Sequence, residues 1–164
     1  MDVLSLRSDC ERCAALCCVA LAFDRSSIFA IDKAAGSPCP NLDNCGRCNI
    51  HSSRAASGFS GCIRYDCLGA GQRVVQNFFD GRSWLEDGEL LAPMLDVFFV
   101  ARIAHEHLKL LESAASLPLL KHQERHRRAL SLSMIDAGVS VARVSQLGRE
   151  IKHWLRDLGT PKPS

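Results

Sequence analysis

The chain has 164 residues, 47% hydrophobic and 23% charged, with a net charge of +2. That length and composition fit one compact domain or two small units of ordinary globular make-up. So small a net charge excludes polyanion binding by bulk electrostatics, and no run approaches the roughly 18–20 apolar residues of a membrane span.

The N-terminus, MDVLSLRSDCERC, lacks a basic region followed by a long apolar core, so no secretory signal is read and a reducing, cytoplasmic compartment is expected. Nine cysteines lie between Cys10 and Cys67, and residues 68–164 have none. In a reducing compartment disulfides do not persist, and clustered cysteines bind metal or do redox chemistry. The odd count also fits poorly with complete disulfide pairing.

The first cluster is Cys10-Glu-Arg-Cys13-Ala-Ala-Leu-Cys17-Cys18. Steps of three and four place Cys10, Cys13 and Cys17 on one face of an expected helix, with Cys18 about 100° further round. Cys17 and Cys18 sit in an apolar run and suit burial as small hydrophobes. Cys10 and Cys13, flanked by Asp9, Glu11 and Arg12, suit it badly. The second cluster is Cys39-Pro-Asn-Leu-Asp-Asn-Cys45-Gly-Arg-Cys48-Asn-Ile-His51. Its C-x2-C around Gly46 is similar to a zinc knuckle, in which glycine lets backbone amides turn toward the sulfurs. His51 is a reserve ligand, or a turn histidine with no such role. Cys62 and Cys67 form the third cluster. Nine thiols suffice for two tetrahedral four-thiolate sites with one spare, or for one iron–sulfur cluster with several left over. Arg7, Arg12, Arg47 and Arg64 stand nearby in sequence to offset thiolate charge.

Gly69-Ala70-Gly71-Gln72 lacks the lysine and spacing of a phosphate loop and reads as a turn closing the cysteine module. Gln72 and Arg73 are candidates to hydrogen-bond the thiolates from behind. The composition changes near residue 75, which sets the expected division into a cysteine-rich module, residues 1–75, and a helical region, residues 76–164. Pro93 suits a helix first turn. From there a helix is expected to about Ser116, with a break at Pro118. A second helix runs from about Leu119 to Asp136 and stops at Gly138. A third runs from Val139 to about Leu158 and stops at Gly159. In it Val144, Leu147, Ile151, Trp154 and Leu158 make one apolar stripe, the seam of a helical bundle. The expected fold is therefore mainly α, a small irregular cysteine-rich module packed on a C-terminal helical bundle.

Other chemistry reads more weakly. His105 and His107 lie two apart in a helix, point to different faces, and read as surface or interface histidines. Lys121, Arg125 and Arg128 fall at helical spacing, but no aromatic residues are interleaved to stack on bases, so nucleic acid is not expected as a partner. His122 and His126, four apart, are at most a weak chelating pair. Cys48 with His51 is the one sequence-local pair suited to a nucleophile and its base.

Several phrases occur in order. They are Cys10-x2-Cys13-x3-Cys17-Cys18, then AIDKxAGxPCPNL around Cys39, RCxIH from Arg47 through Cys48 to His51, GFxGC ending at Cys62, and YDCxGAGQ around Cys67. Together they resemble the CxxCxxCC family. This YkgJ-type family is described as zinc- or iron-chelating, and the likeness is greatest to the module that precedes pentapeptide repeats in some actinobacterial proteins. It covers about residues 8–80 and, more weakly, the helix near 94–115. The resemblance implies eight metal ligands, Cys10, Cys13, Cys17, Cys18, Cys39, Cys48, Cys62 and Cys67, with Cys45 the extra cysteine. The chain departs from the family in the three-residue gap before Cys17-Cys18, where the family name implies two, and in having helices rather than pentapeptide repeats after the module. Flagellin lysine methylase, a related description, implies an iron–sulfur cluster with S-adenosylmethionine, although no methyl-donor site is legible in this sequence.

The expected function is thus a zinc- or iron-binding protein with a thiolate-ligated structural or sensory site. The alternatives are an enzyme carrying a [4Fe-4S] cluster for redox or methyl-transfer chemistry, and a helical protein that self-associates or binds a protein partner through the Val144–Leu158 stripe. No membrane partner is expected.

Overall fold

The computed structural model describes residues 4–158. It is mainly helical, with a cysteine-rich N-terminal part of short elements and a C-terminal part of long helices. The expected stop at Gly159 and the tail after it lie outside the described residues.

The N-terminal part begins with turns rather than a helix. Ala14 and Ala15 both have positive φ, 47° and 54°, a left-handed geometry that costs an L-residue free energy and cannot continue a right-handed helix. The helix α1 therefore spans only Leu16–Ala20. The expectation of one helical face carrying Cys10, Cys13 and Cys17 is corrected by this: Cys10 and Cys13 lie in turns ahead of α1. After α1 the chain pairs with itself at two isolated antiparallel bridges, Phe23 with Lys33 and Leu42 with Cys48. Phe23, Phe29 and Phe59 pack as a small aromatic core, the first two stacked at 4.2 Å and Phe59 edge-on to both. Helix α2, Ser60–Arg64, docks beside it through the Gly61 amide, which donates to the Ile28 carbonyl at 3.1 Å. Helix α3, Ala70–Arg73, runs on as a π turn over Val74–Phe78.

Three long helices follow: α4, Leu91–Ala114; α5, Lys121–Asp136; and α6, Val141–Leu158. Pro93 sits in the first turn of α4, where its missing N–H breaks no hydrogen bond. Gly138, at φ +58°, follows the last turn of α5, in the left-handed position that glycine fills most easily. Helix α5 starts two residues later than expected because Leu120 is extended, and its amide is capped by Gln123 Oε1 at 2.8 Å.

By compactness the chain divides between Phe99 and Val100, inside α4. This boundary differs from the change in composition near residue 75, because residues 76–90 keep to the cysteine-rich unit. There Arg12 donates to Gln76 at 3.1 Å, and Trp84 Nε1 donates to the Ala14 carbonyl at 2.7 Å.

In the C-terminal unit the α6 stripe is the seam that its spacing predicts. Val144, Ile151 and Trp154 are buried, and Trp154 stacks on His126 of α5 with ring centroids 6.0 Å apart. His105 and His107 are buried as well, which corrects their reading as surface residues. Gly148 makes room for the His107 ring: a Cβ there would stand 2.7 Å from His107 Nε2. His107 Nδ1 bonds the Ile103 carbonyl at 2.8 Å. Ile151 has no exposed surface, so Ile151→Ala is expected to cost about 2–5 kcal/mol through lost burial and the cavity left behind. Urea denaturation followed by far-UV circular dichroism measures this; a loss below about 1 kcal/mol would show that the seam does not carry the unit.

Candidate metal centre

Two adjacent carbonyls at the end of α1 gather the middle of the cysteine-rich unit. The Cys39 amide donates to the Cys18 carbonyl at 3.2 Å, and the Gly36 amide to the Val19 carbonyl at 3.0 Å. The Leu42–Cys48 bridge then folds Cys48 back toward Cys39, with Asn49 N donating to Asn41 O at 2.8 Å. Helix α2 supplies Cys62. Cys48 and Cys62 feel the charges of their neighbours here. Burial, followed by the charges of Cys18 and Cys39, pushes the Cys48 thiol up. Burial, followed by the charges of Cys18, Cys39 and Cys48, does the same to Cys62.

Cys10, Cys13, Cys17 and Cys67 interact in turn. Cys13 is buried, and its thiol is pushed well up by a hydrogen bond with Cys10, by burial, and by the charges of Cys10 and Cys67. Cys17 is raised by its hydrogen bond with Cys18, by burial, and by the charges of Cys18, Cys13 and Cys67. Its sulfur stands 3.9 Å from that of Cys18. The Cys18 thiol is correspondingly lowered by that hydrogen bond, against burial and the charge of Cys10, with Lys33 and Arg54 adding to the lowering. Gly71 lets α3 approach Cys13, since a Cβ at that position would stand 2.8 Å from Cys13 Cβ. Cys67 Sγ lies 3.1 Å from Ser8 Oγ, which also bonds Asp66.

By these interactions Cys13, Cys17 and Cys67 group with Cys10, and Cys48 and Cys62 with Cys18 and Cys39, while the action of Cys10 on Cys18 and the Cys17–Cys18 contact link the two groups. Among the described residues, no group of three or more His, Cys, Asp or Glu side chains is already drawn together as a metal cage. The sulfurs are neighbours by electrostatic range rather than converged on a point.

The zinc-knuckle reading of Cys45 and Cys48 is corrected. Asp43 Oδ1 accepts from the amides of Cys45, at 2.9 Å, and Arg47, at 2.7 Å, so these amides turn to a carboxylate and not to sulfur. Cys45 is exposed. Gln72 likewise bonds backbone rather than thiolate: its Oε1 accepts from Asp9 N at 2.8 Å and its Nε2 donates to Arg7 O at 2.7 Å. It clamps the stretch of chain that leads into Cys10.

The cations that act on the thiols' ionisation are also not those expected from sequence proximity. Arg47 pairs with Asp43 at 3.1 Å, and Arg12 bonds Gln76. Lys33 acts on Cys18, while Arg54 acts on Cys10, Cys18, Cys48 and Cys62. The one sequence sign of Arg54 is its place three residues after His51 in a helical turn, where its Nε donates to the His51 carbonyl at 2.8 Å. His51 itself faces Cys10 rather than serving Cys48 as a base.

No family model matches the chain, and no solved structure matches it. The chain is similar to an uncharacterized protein, YybG, of Bacillus subtilis (strain 168), with 42% identity over 116 residues. The match covers 71% of this chain and 42% of the relative, so the chain spans less than half the length of that protein.

Cys10 is exposed, and its thiol is lowered to about 6 by the hydrogen bond from Cys13, aided by His51 and Arg54 against an opposing desolvation. Because the thiolate is the nucleophile, alkylation of Cys10 in metal-stripped protein is expected to rise through pH 6 and to level off by neutral pH. The deprotonated form is the one present above the lowered value, so the sign is a gain of reactivity with rising pH. Cys13 should stay protected. Timed labelling with iodoacetamide and peptide mass spectrometry tests this, and Cys10 labelling that begins only above pH 8.5 would contradict it.

Proposed function

We propose that residues 10–67 form a metal-binding module that holds two ions, zinc or iron, each through four cysteine thiolates, in a structural or sensory role in the reducing environment of the cytoplasm. One observation supports this reading: eight cysteines from separate parts of the chain act on one another's ionisation in a pattern that suits two sets of four, while exposed Cys45 acts on none of them. Thiols brought together and partly desolvated resist ionisation, since each thiolate raises the cost of the next. A bound cation reverses that cost and takes the thiolates as ligands. Closing each set onto an ion would also supply folding free energy to a unit whose core is a few aromatics and short helices. The order of cysteine phrases that resembles the CxxCxxCC family points to the same chemistry.

The first set would be held by Cys10, Cys13, Cys17 and Cys67, and the second by Cys18, Cys39, Cys48 and Cys62. Cysteine thiolates suit zinc and also iron–sulfur clusters. Iron content and a visible absorption band after anaerobic purification distinguish the cluster-bearing enzyme from a colourless zinc protein. The α6 stripe supports no self-association, because its central residues are spent inside the C-terminal unit.

Elemental analysis of purified protein is expected to give about two ions per chain. Cys62→Ser should leave one, Cys67→Ser should leave one, and Cys45→Ser should leave both. Equal metal content in all four proteins, or none in the parent chain, would overturn the assignment.

A further inference from the structure

We infer that Lys33 is the built-in counter-cation of the second cysteine set, and that its fixed charge governs how tightly that set holds a metal ion. This rests on the two-set reading above. Lys33 is buried, with 7% of its surface exposed. Its ammonium donates to three backbone carbonyls, Val19 at 3.0 Å, Ala34 at 2.9 Å and Ser37 at 2.7 Å. Those three bonds use every donor that an ammonium has.

Among the described residues, no carboxylate takes part in this arrangement. A buried charge held by neutral carbonyls alone is costly, and proteins keep one where another charge compensates it. The compensating charges here are sulfurs: after desolvation, which lowers the lysine, the charges acting on it are those of Cys39, Cys18 and Cys17, in that order. Two of the three belong to the second set. The carbonyls that hold the ammonium also flank that set, since Val19 follows Cys18 and Ser37 precedes Cys39 by two residues. The Phe23 ring, 5.7 Å from Nζ, closes the site on another side. The ammonium is thus pinned by the same turns that present two of the sulfurs. A four-thiolate site with a divalent ion keeps a net negative charge, which a fixed cation beside it stabilises.

The test isolates each set in the full chain. Cys67→Ser disables the first set and leaves the second, and Cys62→Ser does the reverse. In each background, zinc affinity is measured by competition with a chromophoric chelator, with and without Lys33→Gln, which retains hydrogen-bond donors and removes the charge. In the Cys67→Ser background Lys33→Gln is expected to weaken zinc binding about 10- to 100-fold, the usual range for groups just behind the ligands. In the Cys62→Ser background the weakening should be several-fold smaller, because Cys17 is the one sulfur of that set among the charges acting on the lysine. Lys33→Arg, which keeps the charge, should restore most of the loss. Equal weakening in both backgrounds would mean that Lys33 only holds the fold, and no weakening in either would mean that its charge is irrelevant; both overturn the inference. A parent chain that takes up no zinc would instead sink the two-set reading, and the role of Lys33 with it.

Discussion

The carbonyls of Cys18 and Val19 accept the bonds on which the cysteine-rich unit depends. Cys39 and Gly36 donate their amides to them, and the Lys33 ammonium joins at Val19. A helix of only five residues exposes its last carbonyls by necessity. Here those orphan acceptors become the anchor for a segment some twenty residues further along the chain. With Cys39 fixed in this way, the Leu42–Cys48 bridge brings in a third thiol, and α2 brings the fourth.

The same geometry fixes the electrostatics. Adjacent Cys17 and Cys18 have their sulfurs in contact at 3.9 Å. One is raised and the other lowered, as expected where two ionisable groups in contact cannot both carry charge cheaply. Burial pushes thiols up in both sets, while Arg54 and Lys33 pull selected ones down. These opposing effects leave a donor set whose repulsion a cation is suited to relieve.

The C-terminal unit is held by a different kind of constraint. Its helices are joined by apolar packing, with Val144, Ile151 and Trp154 inward on α6 and Leu130 and Met134 inward on α5. Gly148 admits the His107 ring in place of a side chain of its own. The basic side chains Lys121, Arg125 and Arg128 remain on the solvated face of α5, as their spacing and lack of stacking partners suggested.

By itself the sequence determined the helical C-terminal part, because a 3.6-residue apolar period, Pro93 and Gly138 are local signals that packing had only to accept. It also confined the nine cysteines to residues 10–67, since cysteine placement is a one-dimensional feature. Tertiary structure alone decided which cysteines act on one another. Cys67 acts on Cys13 and Cys17, some fifty positions or more earlier in the chain, and no local rule carries that information. It likewise replaced the arginines nearest in sequence with Lys33 and Arg54. Charge acts through space, and the left-handed turn at Ala14 and Ala15 sends the chain where a helical wheel could not follow.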